Sequence, residues 1–88
     1  MSQHDRLLDR VLSGRSDANI PFDGLRQLLR RLGFEERIRG DHHIFTRPRV
    51  AEILNLQSRG VNAKPYQVRQ VRAVILKYEL GSDTNGEV

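Results

Sequence analysis

The chain has 88 residues, 15 Lys and Arg against 11 Asp and Glu for a formal charge of +4, 38% hydrophobic residues and no cysteine. A chain of this length buries only about 60–65% of its unfolded surface, enough for one modest core, which excludes an elaborate multidomain enzyme. Without cysteine there is no disulfide staple, no thiol nucleophile and no Cys-ligated zinc.

The start, Met1-Ser2-Gln3-His4-Asp5, lacks the basic-then-apolar order of a signal peptide, and no apolar run approaches the roughly 20 residues that cross a bilayer. The expectation is a cytoplasmic protein with no membrane partner. Leu7, Leu8, Val11 and Leu12 recur at helical spacing before Ser13-Gly14 and predict a short N-terminal helix, followed by a polar loop through Asn19. A second helix starts at Pro21 or Asp23. It carries Leu25, Leu28, Leu29 and Leu32 on one stripe and ends at Gly33.

From Phe34 the period changes to two, and Gly40-Asp41 interrupts it before His42-His43-Ile44-Phe45-Thr46. This pattern predicts a hairpin whose glycine stands first in a two-residue type II′ turn. A third strand is expected over Ile53–Leu56 and a loop from Gln57 to Ala63. Lys64-Pro65 opens the last helix, with Val68, Val71, Val74, Ile75 and Tyr78 as its apolar stripe, Gln67, Arg69, Gln70, Arg72 and Lys77 on its polar flanks, and Gly81 as its end. Residues 82–88 are a polar tail expected to be disordered. The chain thus divides into an N-terminal helix and loop (1–19), a core domain (20–81) and the tail. A three-stranded meander between helices buries one sheet face and leaves the other wet.

Charge is unevenly distributed: Asp23 to Leu80 holds 12 Lys or Arg against 6 Asp or Glu. Most of these cations are Arg, which forks onto phosphate oxygens and stacks on bases, so a polyanionic partner is the first candidate and a solubilising surface the plain alternative. Within the hairpin, a two-residue turn pairs Arg39 with His42, Ile38 with His43, Arg37 with Ile44 and Glu36 with Phe45. Arg37, Arg39 and His42 then share one face, and Phe34, Ile38, His43 and Phe45 the other. His43 reads as a half-buried sheet residue. His42 falls among arginines, the composition wanted for RNA phosphodiester cleavage, where a base takes the 2′-hydroxyl proton and cations stabilise the charged transition state. The same histidine also fits a purely structural role beside a turn. Adjacent histidines on opposite faces cannot chelate one ion, so no metal site is expected.

The segments Leu28-Leu29-Arg30-Arg31-Leu32-Gly33-Phe34 and Arg39-Gly40-Asp41-His42-His43-Ile44-Phe45, with the Lys64-Pro65 helix start, resemble the HicA-type mRNA interferase toxins over Pro21 to Leu80. The resemblance implies an α+β fold like a double-stranded-RNA-binding domain: an α-β-β-β-α order with a three-stranded antiparallel sheet covered on one face, here with an extra N-terminal helix. It implies an endoribonuclease that cuts mRNA with no metal or cofactor, with His42 as the acid/base and Gly40 shaping the turn. It also implies a HicB-type antitoxin bound over the active face as partner. The family usually carries Ser where Asp41 stands; a carboxylate there favours protonated His42 and repels an incoming phosphate.

Two other functions fit the same residues. In a non-catalytic RNA-binding module, Arg37, Arg39, Lys64, Arg69 and Arg72 hold phosphates around the Gly40 turn and His42 is one more contact. In a DNA-binding regulator, the last helix enters a groove with its Gln and Arg side chains.

Overall fold

Three apolar helical stripes and one face of a sheet close on a single core. The computed structural model describes residues 3–81, so the expected tail at 82–88 lies outside them. Helix α1 (Gln3–Ser13) turns Leu7, Leu8 and Val11 inward; α2 (Phe22–Arg31) contributes Phe22, Leu25, Leu28 and Leu29; α3 (Pro65–Lys77) contributes Val68, Val71, Val74 and Ile75. Val11 is fully buried, so the N-terminal segment set apart in the sequence shares the core of residues 20–81. Arg72 fixes it there, donating from α3 to the Val11 carbonyl at 3.0 Å and to both carboxylate oxygens of Asp17 at 2.9 and 3.2 Å. Among the described residues no helix is long and apolar enough to cross a membrane.

Strands β1 (Glu35–Arg39), β2 (His42–Thr46) and β3 (Leu54–Leu56) form an antiparallel sheet in the order β1-β2-β3. The chain is therefore α+β, with the α-β-β-β-α order after an extra N-terminal helix. The β1–β2 register is the expected one: Arg39 opposite His42, Ile38 opposite His43, Arg37 opposite Ile44 and Glu36 opposite Phe45. Gly40 has φ 59° while Asp41 keeps a negative φ, as a type II′ turn requires. Phe45, Leu54 and Leu56 are buried on the helix side.

Helix α2 ends in a Schellman motif. Gly33 at φ 100° lets its N–H reach the Arg30 carbonyl and lets Phe34 N–H reach that of Leu29, both at 3.0 Å, and Arg47 Nε donates to the Leu32 carbonyl at 2.7 Å. A Cβ on Gly33 would sit 2.9 Å from Arg47 Nε.

Four local expectations are corrected. Residues 57–63 form a second, two-stranded hairpin, β4 (Ser58–Arg59) with β5 (Asn62–Ala63), rather than a loop. Its strands are too short to show a period, and it is held by the chain entering α2, through Phe22 N–H to the Val61 carbonyl and Ala63 N–H to that of Ile20, each 2.9 Å. Helix α3 stops at Lys77, before Gly81. Glu79 adopts the left-handed turn at φ 55° while the Tyr78 hydroxyl is anchored to Glu52 at 2.7 Å. Ile38, on the helix-facing side, is 57% exposed, because it lies toward the turn end of an edge strand, past the helix cover. Gln67 is buried rather than on a polar flank.

The two glycines should fail differently in urea unfolding. Gly40→Ala meets no neighbour and should lose only the conformational cost of a side chain at this positive-φ turn position, about 1–3 kcal/mol. Gly33→Ala adds displacement of Arg47 and should lose more; an equal or smaller loss would contradict the capping role.

Candidate active site on the open face of the sheet

Strand alternation and the hairpin register put Arg37, Arg39, His42 and Ile44 on the face away from the helices, and β3 adds Asn55 opposite Ile44. Arg37 and Arg39 are exposed and make no ion pair among the described residues. His42 is exposed, and its Nδ1 lies 3.0 Å from the Asn55 side-chain oxygen on the neighbouring strand. That oxygen only accepts, so Nδ1 donates, and in the neutral form of the ring the lone pair that can act as a base lies on Nε2. Asn55 thereby fixes both the tautomer and the ring orientation.

The position of Asn55 depends on α3. Gln67, 2% exposed, accepts from the Gln57 backbone N–H at 3.2 Å, and its amide reaches the Asn55 carbonyl at 3.5 Å. One carboxamide thus satisfies the outer edge of β3, which would otherwise present unpaired backbone groups. Above it lies a groove of about 290 Å³ lined by His42, Ile53, Asn55, Gln57, Tyr66 and Gln70.

On the opposite face, His43 is held within the fold. Its Nδ1 donates to Glu36 at 2.7 Å and its ring meets Phe22 edge-on at 5.0 Å. Arg26 binds the same carboxylate through Nε at 2.6 Å and Nη2 at 3.2 Å. Burial alone would push the Glu36 carboxyl up, but the hydrogen bonds from Arg26 and His43 outweigh it and hold the group below the usual carboxylate range.

The remaining sequence candidates separate. Gly40 forms the turn beside His42. Lys64 is half-buried, donating to the Gln57 side chain at 3.0 Å at one end of the groove. Arg69 is exposed on α3 and does not line the groove. Arg72 bridges α1, Asp17 and α3, so the phosphate contact expected of it competes with a structural bond that raises its pKa. The same holds for α3 as a groove-reading helix, because Gln67 and Arg72 face inward and Lys77 pairs with Glu52 at 2.8 Å, leaving Arg69 and Gln70 outward. Among the described residues no three His, Cys, Asp or Glu side chains gather as a metal site.

No family model, curated protein or solved structure matches the chain.

The sequence reading missed Asn55, Tyr66 and Gln70 at this site and Glu36 beneath it. Leu54-Asn55-Leu56 alternation beside β2 already carried the signal for Asn55, and the pairing of Glu36 with Phe45 placed that carboxylate inside. Tyr66 and Gln70 carry no local signal, because only the approach of α3 to β3 brings them to the site.

Glu36 predicts an acid limb. Its folded pKa lies below that of an ordinary glutamate, so its contribution is present above the ordinary value and disappears as pH falls through the folded pKa. Urea midpoints measured between pH 7 and pH 3 should fall for the wild type and fall less for Glu36→Gln, which starts lower at pH 7. Parallel curves would contradict a charged Glu36 in the fold.

Proposed function

We propose that this chain is a metal-independent endoribonuclease of the HicA type that cuts mRNA, with His42 as its acid/base, and that it is the toxin of a toxin–antitoxin pair. The supporting observation is the exposed His42 ring, held at Nδ1 by Asn55, on the face that carries Arg37 and Arg39, which make no ion pair among the described residues. Nε2 takes the proton from a ribose 2′-hydroxyl as the 2′-oxygen attacks the adjacent phosphorus. The bond from phosphorus to the 5′-oxygen breaks, and that oxygen takes a proton from water, leaving a 2′,3′-cyclic phosphate and a 5′-hydroxyl end, while His42 returns its proton to solvent. Arg37 and Arg39 stabilise the charge that builds on the phosphoryl oxygens, and Lys64 at the groove's end holds a neighbouring phosphate.

A ribonuclease of this kind must be silenced in its own cell. An open basic face fits a HicB-type antitoxin that covers it with acidic groups and steers in electrostatically, so antitoxin and RNA should compete.

Purified protein incubated with a defined RNA in chelator tests the reading. Cleavage should persist without divalent metal, give cyclic-phosphate ends, and stop when the scissile nucleotide lacks its 2′-hydroxyl. Salt-sensitive binding without any product would favour the non-catalytic RNA-binding module, and cleavage of the 2′-deoxy substrate would refute the mechanism.

A further inference from the structure

We infer that the groove between β3 and α3 is a nucleobase subsite, taking an unpaired base of the RNA next to the phosphate that His42 attacks; this rests on the reading of the open face as an RNA-cleaving site. The groove opens directly beside His42, so a nucleotide whose 2′-hydroxyl meets the ring places a flanking base within reach. Its chemistry differs from that of the neighbouring sheet. Arg37 and Arg39 suit phosphate, whereas the groove wall carries carboxamides, which donate and accept in one plane and match the edges of bases.

The hydrogen-bonding capacity of these carboxamides is unequally committed. Asn55 gives its oxygen to His42, Gln57 gives its side-chain oxygen to Lys64, and Gln67 is occupied with the backbone of β3 and the Tyr66 hydroxyl. Gln70 is exposed, and its carboxamide has no partner among the described residues. Among these four carboxamides it alone keeps both its donor and its acceptor free to read a base edge. The apolar walls are Tyr66, 50% exposed, and Ile53, 66% exposed. The Gln67 amide contacts the Tyr66 hydroxyl at 3.4 Å, leaving an aromatic face on which a base can stack. The residues lining this groove include no Lys or Arg, Lys64 beside it is already bonded to Gln57, and an entirely apolar occupant would leave the polar wall unmatched.

Two measurements separate this inference from the catalytic reading. In the first, a pool of RNAs randomised around one cleavage position is cut by wild-type protein, Gln70→Ala and Tyr66→Leu. The wild type should favour particular bases at one position beside the scissile phosphate, and Gln70→Ala should compress that preference by about tenfold at that position alone. In the second, Tyr fluorescence and NMR shifts of Tyr66 and Gln70 follow the binding of uncleavable 2′-O-methyl oligonucleotides of the same sequences. Binding should depend on the same base, and Tyr66→Leu should weaken it.

Gln70 and Tyr66 are exposed, so both variants should fold, which a thermal melt checks. Base-dependent binding that Gln70→Ala abolishes, with no cleavage by any variant, would keep the subsite and overturn the nuclease. Cleavage with an unchanged base profile in both variants would overturn the subsite and keep the nuclease, leaving the groove to a protein partner. Absence of any shift at Tyr66 and Gln70 when oligonucleotide binds elsewhere on the sheet would also overturn the subsite.

Discussion

Two residues, Gly40 and Asp41, join β1 to β2, and the rest of the molecule's chemistry depends on how little freedom that turn leaves. A type II′ turn fixes the pairing of Arg39 with His42, and a slip of one residue would send every following side chain to the other face. Because the alternation is fixed, two adjacent histidines acquire opposite environments. One ring stands in solvent among arginines, and the other is clamped between Glu36 and Phe22. The glycine carries this constraint alone, with no neighbour within 4 Å of where a Cβ would stand, so the restriction is conformational rather than steric.

The basic composition is likewise divided between fold and surface. Arg26 neutralises Glu36 on the covered face, Arg72 joins three segments through Asp17 and the end of α1, and Lys77 pairs with Glu52 near the end of α3. Glu52, bonded by Lys77 and Tyr78, is held down at about 2, so this pair remains charged over the whole neutral range. On the open face of the sheet Arg37 and Arg39 remain for a polyanion, with Lys64 partly engaged, while Arg15, Arg31, Arg49, Arg59 and Arg69 are also exposed. A net charge therefore overstates the cations available to a ligand, and placement by the register decides which ones count.

Much of this is legible in the sequence, because strand alternation and helical spacing are strong signals where elements are long enough to repeat. The leucine stripe of α2, the Gly33 stop, the hairpin register and the two histidine faces all follow from such patterns. The β4–β5 hairpin did not, since two-residue strands show no period and their pairing relies on the distant chain at Ile20–Phe22. Gln67 did not either: in sequence it is one glutamine among several on a polar helix, and only the approach of α3 to the edge of β3 turns it inward. The groove and its Tyr66 and Gln70 walls are products of the same approach, beyond the reach of local pattern. Glu36 was legible in the register yet masked by its charge, because a carboxylate on a covered face needs partners that lie ten residues upstream in Arg26 and seven downstream in His43.

The rate of RNA cleavage per folded molecule, measured side by side for His42→Ala and His43→Ala with the folded fraction taken from thermal melts, tests the assignment most directly. His42→Ala should remain folded and lose about 10²–10⁴-fold in rate. His43→Ala should melt lower, having lost its bond to Glu36 and its packing on Phe22, yet keep most of the rate per folded molecule. A fully folded His42→Ala protein that cleaves at the wild-type rate, or a stable His43→Ala protein that has lost its activity, would contradict the division of roles that the Gly40–Asp41 turn imposes.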